Sequence, residues 1–273
     1  MPEGPEIRLA ADRIAEVLEG EQIRAVELEL PRLKPYEPEL LGAHVIRVET
    51  RGKAMLTHFD NGLTLYSHNQ LYGRWYVRAR DAWPRTRRTL RVALHTERAS
   101  ALLYSASDIE ILDHDGLARH PFLTRIGPDV LAPDLTWRAL AKRLAERAFL
   151  RRSLASLYLD QSYVAGLGNY LRSEILFFAK VHPRRRPLDL SIGERGALAR
   201  QTLAIAQRSY ETRGITNPDR IVRRRKAAGL TRKSELRFAV FDRAGEPCDY
   251  CNTEIERTEA GSRRLYICPT CQL

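Results

Sequence analysis

The chain has 273 residues, with 45 Lys+Arg against 34 Asp+Glu, 44% apolar residues and four cysteines. That length provides for one large or two medium domains with a sizeable core, and the composition excludes disordered, collagen-like and disulfide-scaffold classes. No run approaches the roughly 18 apolar residues that span a bilayer, and Met1-Pro2-Glu3-Gly4-Pro5-Glu6 lacks an apolar signal core, so a soluble cytoplasmic protein with no membrane partner is expected.

The net charge of +11 is unevenly placed. Residues 1–134 hold 18 basic and 20 acidic side chains, a net of −2, whereas residues 135–273 hold the other 27 and 14, a net of +13. Such asymmetry points to a polyanion, most simply nucleic acid. A GC-rich genome would explain why Arg (39) exceeds Lys (6), but not why the halves differ.

In chain order, Pro5 suits a first helical turn, Glu3 and Glu6 favour the positive end of its dipole, and Gly20 is a stop. Ile7, Ala10, Ala11, Ile14, Val17 and Leu18 form its apolar face. Short β-rich runs follow at 45–50, 54–59, 63–66, 75–77, 90–94 and 101–104, with Asp60-Asn61-Gly62 as a hairpin turn. Strands at this spacing predict a sandwich or barrel. A turn-rich stretch from Thr124 to Asp134 reads as a linker. Helices are expected from Thr136 toward Phe149, from Ser153 to Val164, from Tyr170 onward, and between Ile192 and Tyr210. Thr216 to Lys233, with Arg223-Arg224-Arg225-Lys226, reads as a mobile basic loop.

The strongest local signal is Cys248-x2-Cys251-x16-Cys268-x2-Cys271. Two CxxC turns let four thiolates converge on one tetrahedral Zn²⁺, which would supply folding free energy to a segment too short for its own core. Paired disulfides are the alternative, disfavoured in a reducing compartment. At the other terminus, removal of Met1 would expose the secondary amine of Pro2. An α-amine titrates near pH 8, so much of it is nucleophilic at neutrality, and attack on an aldehydic sugar carbon gives an iminium electron sink directly. Glu3 could serve as general acid; the plainer reading of both residues is an ordinary helix start.

Gly166-Leu167-Gly168-Asn169 interrupts the helical pattern, and a glycine turn opening a helix offers N–H groups to a phosphate, with Asn169 as an added donor. Ser67-His68-Asn69-Gln70-Leu71-Tyr72-Gly73 places polar, aliphatic and aromatic side chains consecutively at an expected loop, suited to wedging into a base stack or to ending a strand. Lys53 follows Arg51-Gly52 and is either functional or a surface charge.

These features occur in one order along the whole chain: Met1-Pro2-Glu3-Gly4-Pro5-Glu6, Thr50-Arg51-Gly52-Lys53, Gly166-Leu167-Gly168-Asn169-Tyr170, and the four cysteines. Together they resemble the formamidopyrimidine-DNA glycosylase/endonuclease VIII family of bifunctional DNA repair enzymes. Tyr66 to Gly73, Leu103 to Glu110, and His120-Pro121-Phe122-Leu123 are similar to the endonuclease VIII branch, in which the intercalating residues are contiguous.

The resemblance implies an α+β protein of two domains: an N-terminal β-sandwich flanked by helices, then a helix-two-turn-helix module with a zinc-ribbon hairpin, and DNA in the cleft between. The implied boundaries are a catalytic domain over 1–124, a linker over 125–135, the helical module over 136–237 with a basic loop at 216–236, and the ribbon over 238–273. It implies Pro2 as Schiff-base nucleophile, Glu3 as general acid, Glu6 as supporting carboxylate, and Lys53 as the lysine of β-elimination. It also implies Arg125 and Asn169 as phosphate clamps and Gln70, Leu71 and Tyr72 as the void-filling wedge. Arg263, five residues before Cys268, matches the phosphate-gripping arginine, with Arg264 as the alternative.

The implied activity is excision of oxidised pyrimidines from double-stranded DNA followed by β,δ-elimination, in a monomer of the bacterial cytoplasm associated with the nucleoid, with one structural Zn²⁺. The segment from Ile215 to Leu236 departs from the endonuclease VIII pattern in length and basicity, which puts the base preference in question. The same chemistry on oxidised purines, or a non-catalytic DNA-binding protein, are the alternatives.

Overall fold

A computed structural model describes residues 2–273; the expected removal of Met1 concerns a residue outside them. The chain divides into two compact units, one of residues 6–126 with Pro2 and the other of residues 127–273 with Glu3–Pro5.

In the N-terminal unit, α1 (Gly4–Leu18) precedes β1 (Ala25–Leu28), the short α2 (Glu37–Leu40), β2 (Val45–Arg51), β3 (Ala54–Phe59), β4 (Thr64–His68), β5 (Arg74–Ala79), β6 (Leu90–His95), β7 (Ala99–Tyr104), β8 (Asp108–Leu112) and α3 (His114–Arg119). The strands form two antiparallel sheets, β1-β6-β7-β5 and β2-β3-β4-β8. Period-two alternation sends Val92, Leu94, Ala101 and Leu103 of one sheet and Val48, Met55 and Leu65 of the other into a shared core with Ile7, Ile14 and Leu18 of α1. The expected sandwich is therefore present. Strands β1 and β8 were not among the expected runs; β1 is only four residues long and mostly half-buried, whereas β8 alternates and adds Ile109 and Ile111 to the core.

The C-terminal unit contains α4 (Trp137–Leu144), α5 (Leu154–Leu157), α6 (Asn169–Phe178), α7 (Ile192–Glu211), α8 (Asp219–Ala227), α9 (Lys233–Arg237) and a hairpin of β9 (Glu256–Ala260) with β10 (Arg263–Ile267). Thr136 caps α4 by accepting from Ala139 N–H, and Ser191 with Glu194 makes a capping box on α7. Leu140, Leu154, Leu171, Ile175, Leu198 and Ile205 build its core.

Two expectations are corrected. The helix expected from Ser153 to Val164 stops at Leu157, because the Asp160 carboxylate takes Ser162 N–H at 2.8 Å and turns the chain. The basic stretch expected as a loop from Thr216 to Lys233 contains α8. Ile221 and Arg225, one turn apart, are both buried, and Arg224, Arg225 and Arg243 converge on the Asp249 carboxylate. The basic run is thus partly consumed inside the fold. No helix among the described residues is long and apolar enough to cross a membrane.

Candidate active site

The N-terminal residues carry chemistry because of where the chain places them. Glu3 is almost fully buried, and its carboxylate accepts Tyr170 N–H at 2.9 Å and Leu171 N–H at 3.2 Å. These are orphan donors of the first turn of α6, at the positive end of its dipole. Half-buried Pro2 is bonded directly to this anchored residue, just before α1.

The Gly166-Leu167-Gly168-Asn169 turn makes the anchorage possible. Gly166 has φ +97°, a conformation side chains rarely tolerate, and its carbonyl accepts Gly4 N–H at 2.8 Å. Gly168 is needed for space: a Cβ there would lie 2.4 Å from Cδ and 2.5 Å from Oε1 of Glu3. Gln161 braces the turn, donating to Leu167 O at 3.0 Å and accepting from Gly166 N–H at 3.1 Å. Asn169 opens α6 with its Oδ1 3.4 Å from an Arg172 nitrogen.

Arg172, beside the Glu3 anchorage, was not singled out from the sequence. It is fully buried and donates to Ala155 O at 2.9 Å and Arg264 O at 2.8 Å. Burial lowers its pKa to about 10, with Glu3 opposing and Arg263 adding to that shift. Its signal was a lone cation inside the apolar run of α6. Through the Arg264 carbonyl, Arg172 ties β10 to α6, and Ser173 Oγ accepts Tyr266 N–H at 3.4 Å. On β10, Arg263 is exposed and shares a face with Leu265 and Ile267, which pack on Ala155. Arg264 lies on the opposite face.

Within the N-terminal unit, Lys53 is buried after the tight turn at Gly52, φ +64°. His68 lies close enough to feel its charge: burial holds the imidazole below its ordinary pKa, Asp108 opposes, and Lys53 adds to the lowering. His68 Nδ1 accepts Gln70 N–H at 3.2 Å, and Ser107 Oγ donates to Gln70 Oε1 at 3.0 Å. Gln70 is left-handed, φ +47°, and Leu71 and Tyr72 are 57% and 66% exposed, an unusual display for large apolar side chains. Arg125 is tied to its own turn, donating from Nε to Pro121 O at 2.7 Å. Glu6 sits half-buried in the first turn of α1.

The four cysteines converge, with ligand atoms all within 4.8 Å of one another. Sulfur separations of 3.9 Å for Cys248 and Cys271 and 3.4 Å for Cys251 and Cys268 bracket the roughly 3.8 Å edge of a tetrahedron with 2.3 Å Zn–S bonds. Burial pushes the Cys248 and Cys271 thiols up. A divalent cation lets four thiolates this close together coexist, so the donor set fits zinc.

Residues 1–107 match the model of the formamidopyrimidine-DNA glycosylase N-terminal domain, residues 126–219 that of the formamidopyrimidine-DNA glycosylase H2TH domain, and residues 245–273 a zinc finger found in FPG and IleRS. The chain is 49% identical over 272 residues to endonuclease 8 of Escherichia coli O17:K52:H18 (strain UMN026 / ExPEC), covering 100% of both chains. The chain belongs to the formamidopyrimidine-DNA glycosylase/endonuclease VIII family. Endonuclease 8 of Shigella sonnei (strain Ss046) is 48% identical with the same coverage. The fold matches Lactococcus lactis formamidopyrimidine-DNA glycosylase bound to DNA containing an abasic site, with TM-score 0.80, 22% identity and 99% of each chain covered. As a family member the chain is a DNA glycosylase with lyase activity on abasic sites.

Proposed function

We propose that the protein excises oxidised pyrimidines from double-stranded DNA through a Pro2 Schiff base and then cleaves the strand by β,δ-elimination. The observation that carries this reading is the Glu3 carboxylate, held by two backbone N–H groups of α6 and covalently next to Pro2. Uncoupled from that anchorage, the terminal amine would sample many orientations; with it, nucleophile and proton carrier share one short, fixed segment.

In the first stage the Pro2 nitrogen bonds to C1′ of the damaged nucleotide and the N-glycosidic bond breaks. Glu3 receives the proton released from the amine and delivers it where the sugar ring opens or the base departs. The resulting iminium acidifies a C2′ proton. Its removal breaks the C3′–O bond, and a second elimination breaks the C5′–O bond, releasing both phosphates. Lys53 supplies or takes a proton in these steps, with Glu6 as supporting carboxylate.

Arg263, facing the side of β10 that packs toward Arg172, grips the phosphate, and Arg125 and Asn169 clamp the flanking backbone. Gln70, Leu71 and Tyr72 fill the gap left by the everted nucleotide; their contiguity supports the pyrimidine-directed endonuclease VIII branch. Cys248, Cys251, Cys268 and Cys271 would hold one Zn²⁺ in a structural role, fixing the hairpin that carries Arg263.

The decisive experiment is borohydride trapping on duplexes containing thymine glycol, 8-oxoguanine or a preformed abasic site. The expected result is covalent enzyme–DNA adduct at the abasic site, faster processing of thymine glycol than of 8-oxoguanine, and no adduct with protein that retains Met1. Trapping by Met1-bearing protein would exclude Pro2 as nucleophile, and preference for 8-oxoguanine would exclude the pyrimidine assignment.

A further inference from the structure

The segment joining β5 to β6 has no part in the reading above. It carries Arg80, Arg85, Arg87 and Arg88 against one acid, Asp81. Three anchors hold it against its own unit. Arg80 donates its backbone N–H to Arg98 O at 2.8 Å and its guanidinium to Thr96 O at 2.5 Å. The Trp83 ring sits edge-on to His95 at 5.9 Å. Arg88 donates its guanidinium to the carbonyl of Tyr72, a wedge residue.

Between the last two anchors, Pro84 and Thr86 are half-buried while Arg85 and Arg87 are exposed. No carboxylate among the described residues lies within ion-pair distance of Arg85 or Arg87. Within the segment Arg80 already pairs with Asp81, and elsewhere in the same unit Arg24 and Arg47 have acidic partners. Arg85 and Arg87 are two residues apart, so at most about 7 Å of backbone separates them, the scale of neighbouring phosphates on one strand. A planar donor fork on a pre-anchored segment loses little freedom on meeting a phosphate oxygen.

We infer that residues 80–89 form a phosphate-gripping arm coupled to the wedge. Arg85 and Arg87 each pair with a backbone phosphate beside the lesion, and Arg88, through the Tyr72 carbonyl, makes that grip and the insertion of Leu71 and Tyr72 one event. This rests on the reading of Gln70-Leu71-Tyr72 as the wedge.

The test measures the dissociation constant for a duplex with a tetrahydrofuran abasic analogue across 50 to 200 mM salt. It compares the wild type, R85A/R87A, and the charge control R24A/R47A, whose arginines are already ion-paired. Two lost phosphate contacts make the log–log salt slope shallower by about 1.8, which removes about tenfold of the affinity loss over that range. R85A/R87A is expected to show this change and R24A/R47A to keep the wild-type slope. An unchanged slope in R85A/R87A, or an equal change in the control, overturns the arm. Borohydride trapping of the wild type on abasic duplex is run beside it, and its failure would sink the glycosylase reading instead.

Discussion

Gly168→Ala tests whether the position of Glu3 drives the first chemical stage. Gly168 has φ −149°, extended backbone that any residue adopts, so the substitution brings no backbone strain. It brings a methyl group to 2.4 Å from Cδ, 2.5 Å from Oε1 and 2.8 Å from Cγ of Glu3, where no Cβ can sit. The carboxylate must leave, and two bonds from backbone N–H to a charged acceptor go with it. Each is worth about 1.5–3 kcal/mol, so a loss of about 3 kcal/mol, the low end, corresponds to roughly a hundredfold in rate. Single-turnover excision from a thymine glycol duplex should fall by that factor. Cleavage of a preformed abasic site, where no base must depart, should fall less. Gly196→Ala in α7 is the control, since its added Cβ meets neighbours at an ordinary 3.5 Å and thermal stability should hold or rise. Wild-type excision by a folded Gly168→Ala variant would refute the role given to the Glu3 anchorage.

Three further outcomes follow from the geometry. Chelation of the metal should release one zinc per chain by mass spectrometry and expose Glu256–Ile267 to protease, because four crowded thiols cannot hold the hairpin without a cation. Arg172→Met should lower the denaturation midpoint, since lost bonds to Ala155 O and Arg264 O outweigh the relief of burying a charge, and should slow the second elimination more than the first. His68, lowered by burial, contributes stability that is fully present above its unfolded value near 6.5 and is lost as pH falls through the lower folded value. Acid also converts Nδ1 from acceptor to donor and frees Gln70 N–H, so the protection of the Gln70 amide relative to its intrinsic exchange rate at each pH, measured by NMR, should fall more on acidification than in His68→Gln.

The sandwich was legible because its strands are short β-rich runs separated by turn residues, and α1 because its apolar stripe repeats at helical spacing. The cysteine cluster was legible because spacing alone determines whether four sulfurs can converge. What stayed hidden depends on distant partners. Asp249 sits between Cys248 and Cys251, and nothing local says that its carboxylate gathers Arg224, Arg225 and Arg243 and so converts an apparent loop into α8. The half-to-half charge asymmetry has the same weakness. Charge counts cannot distinguish arginines neutralised within a unit from those left to meet DNA, and the arginines of the 80–89 segment lie in the half whose net charge is −2.

The Gly-Leu-Gly-Asn turn shows how one motif meets two physical demands. Its first glycine is required by backbone conformation, φ +97°, and its second by the proximity of a side chain from 165 positions earlier in the sequence. A phosphate-cradling turn needs only open N–H groups, but here the N–H groups of Tyr170 and Leu171 are already taken by Glu3. The turn therefore serves the carboxylate first, and any DNA phosphate at this helix start must be met by side chains such as Asn169 rather than by those two amides. Asn169→Ala should accordingly weaken binding of the abasic-analogue duplex while leaving the Glu3 contacts in place. Equal loss of binding and of abasic-site trapping rate at saturating DNA would show instead that Asn169 acts through the Glu3 anchorage.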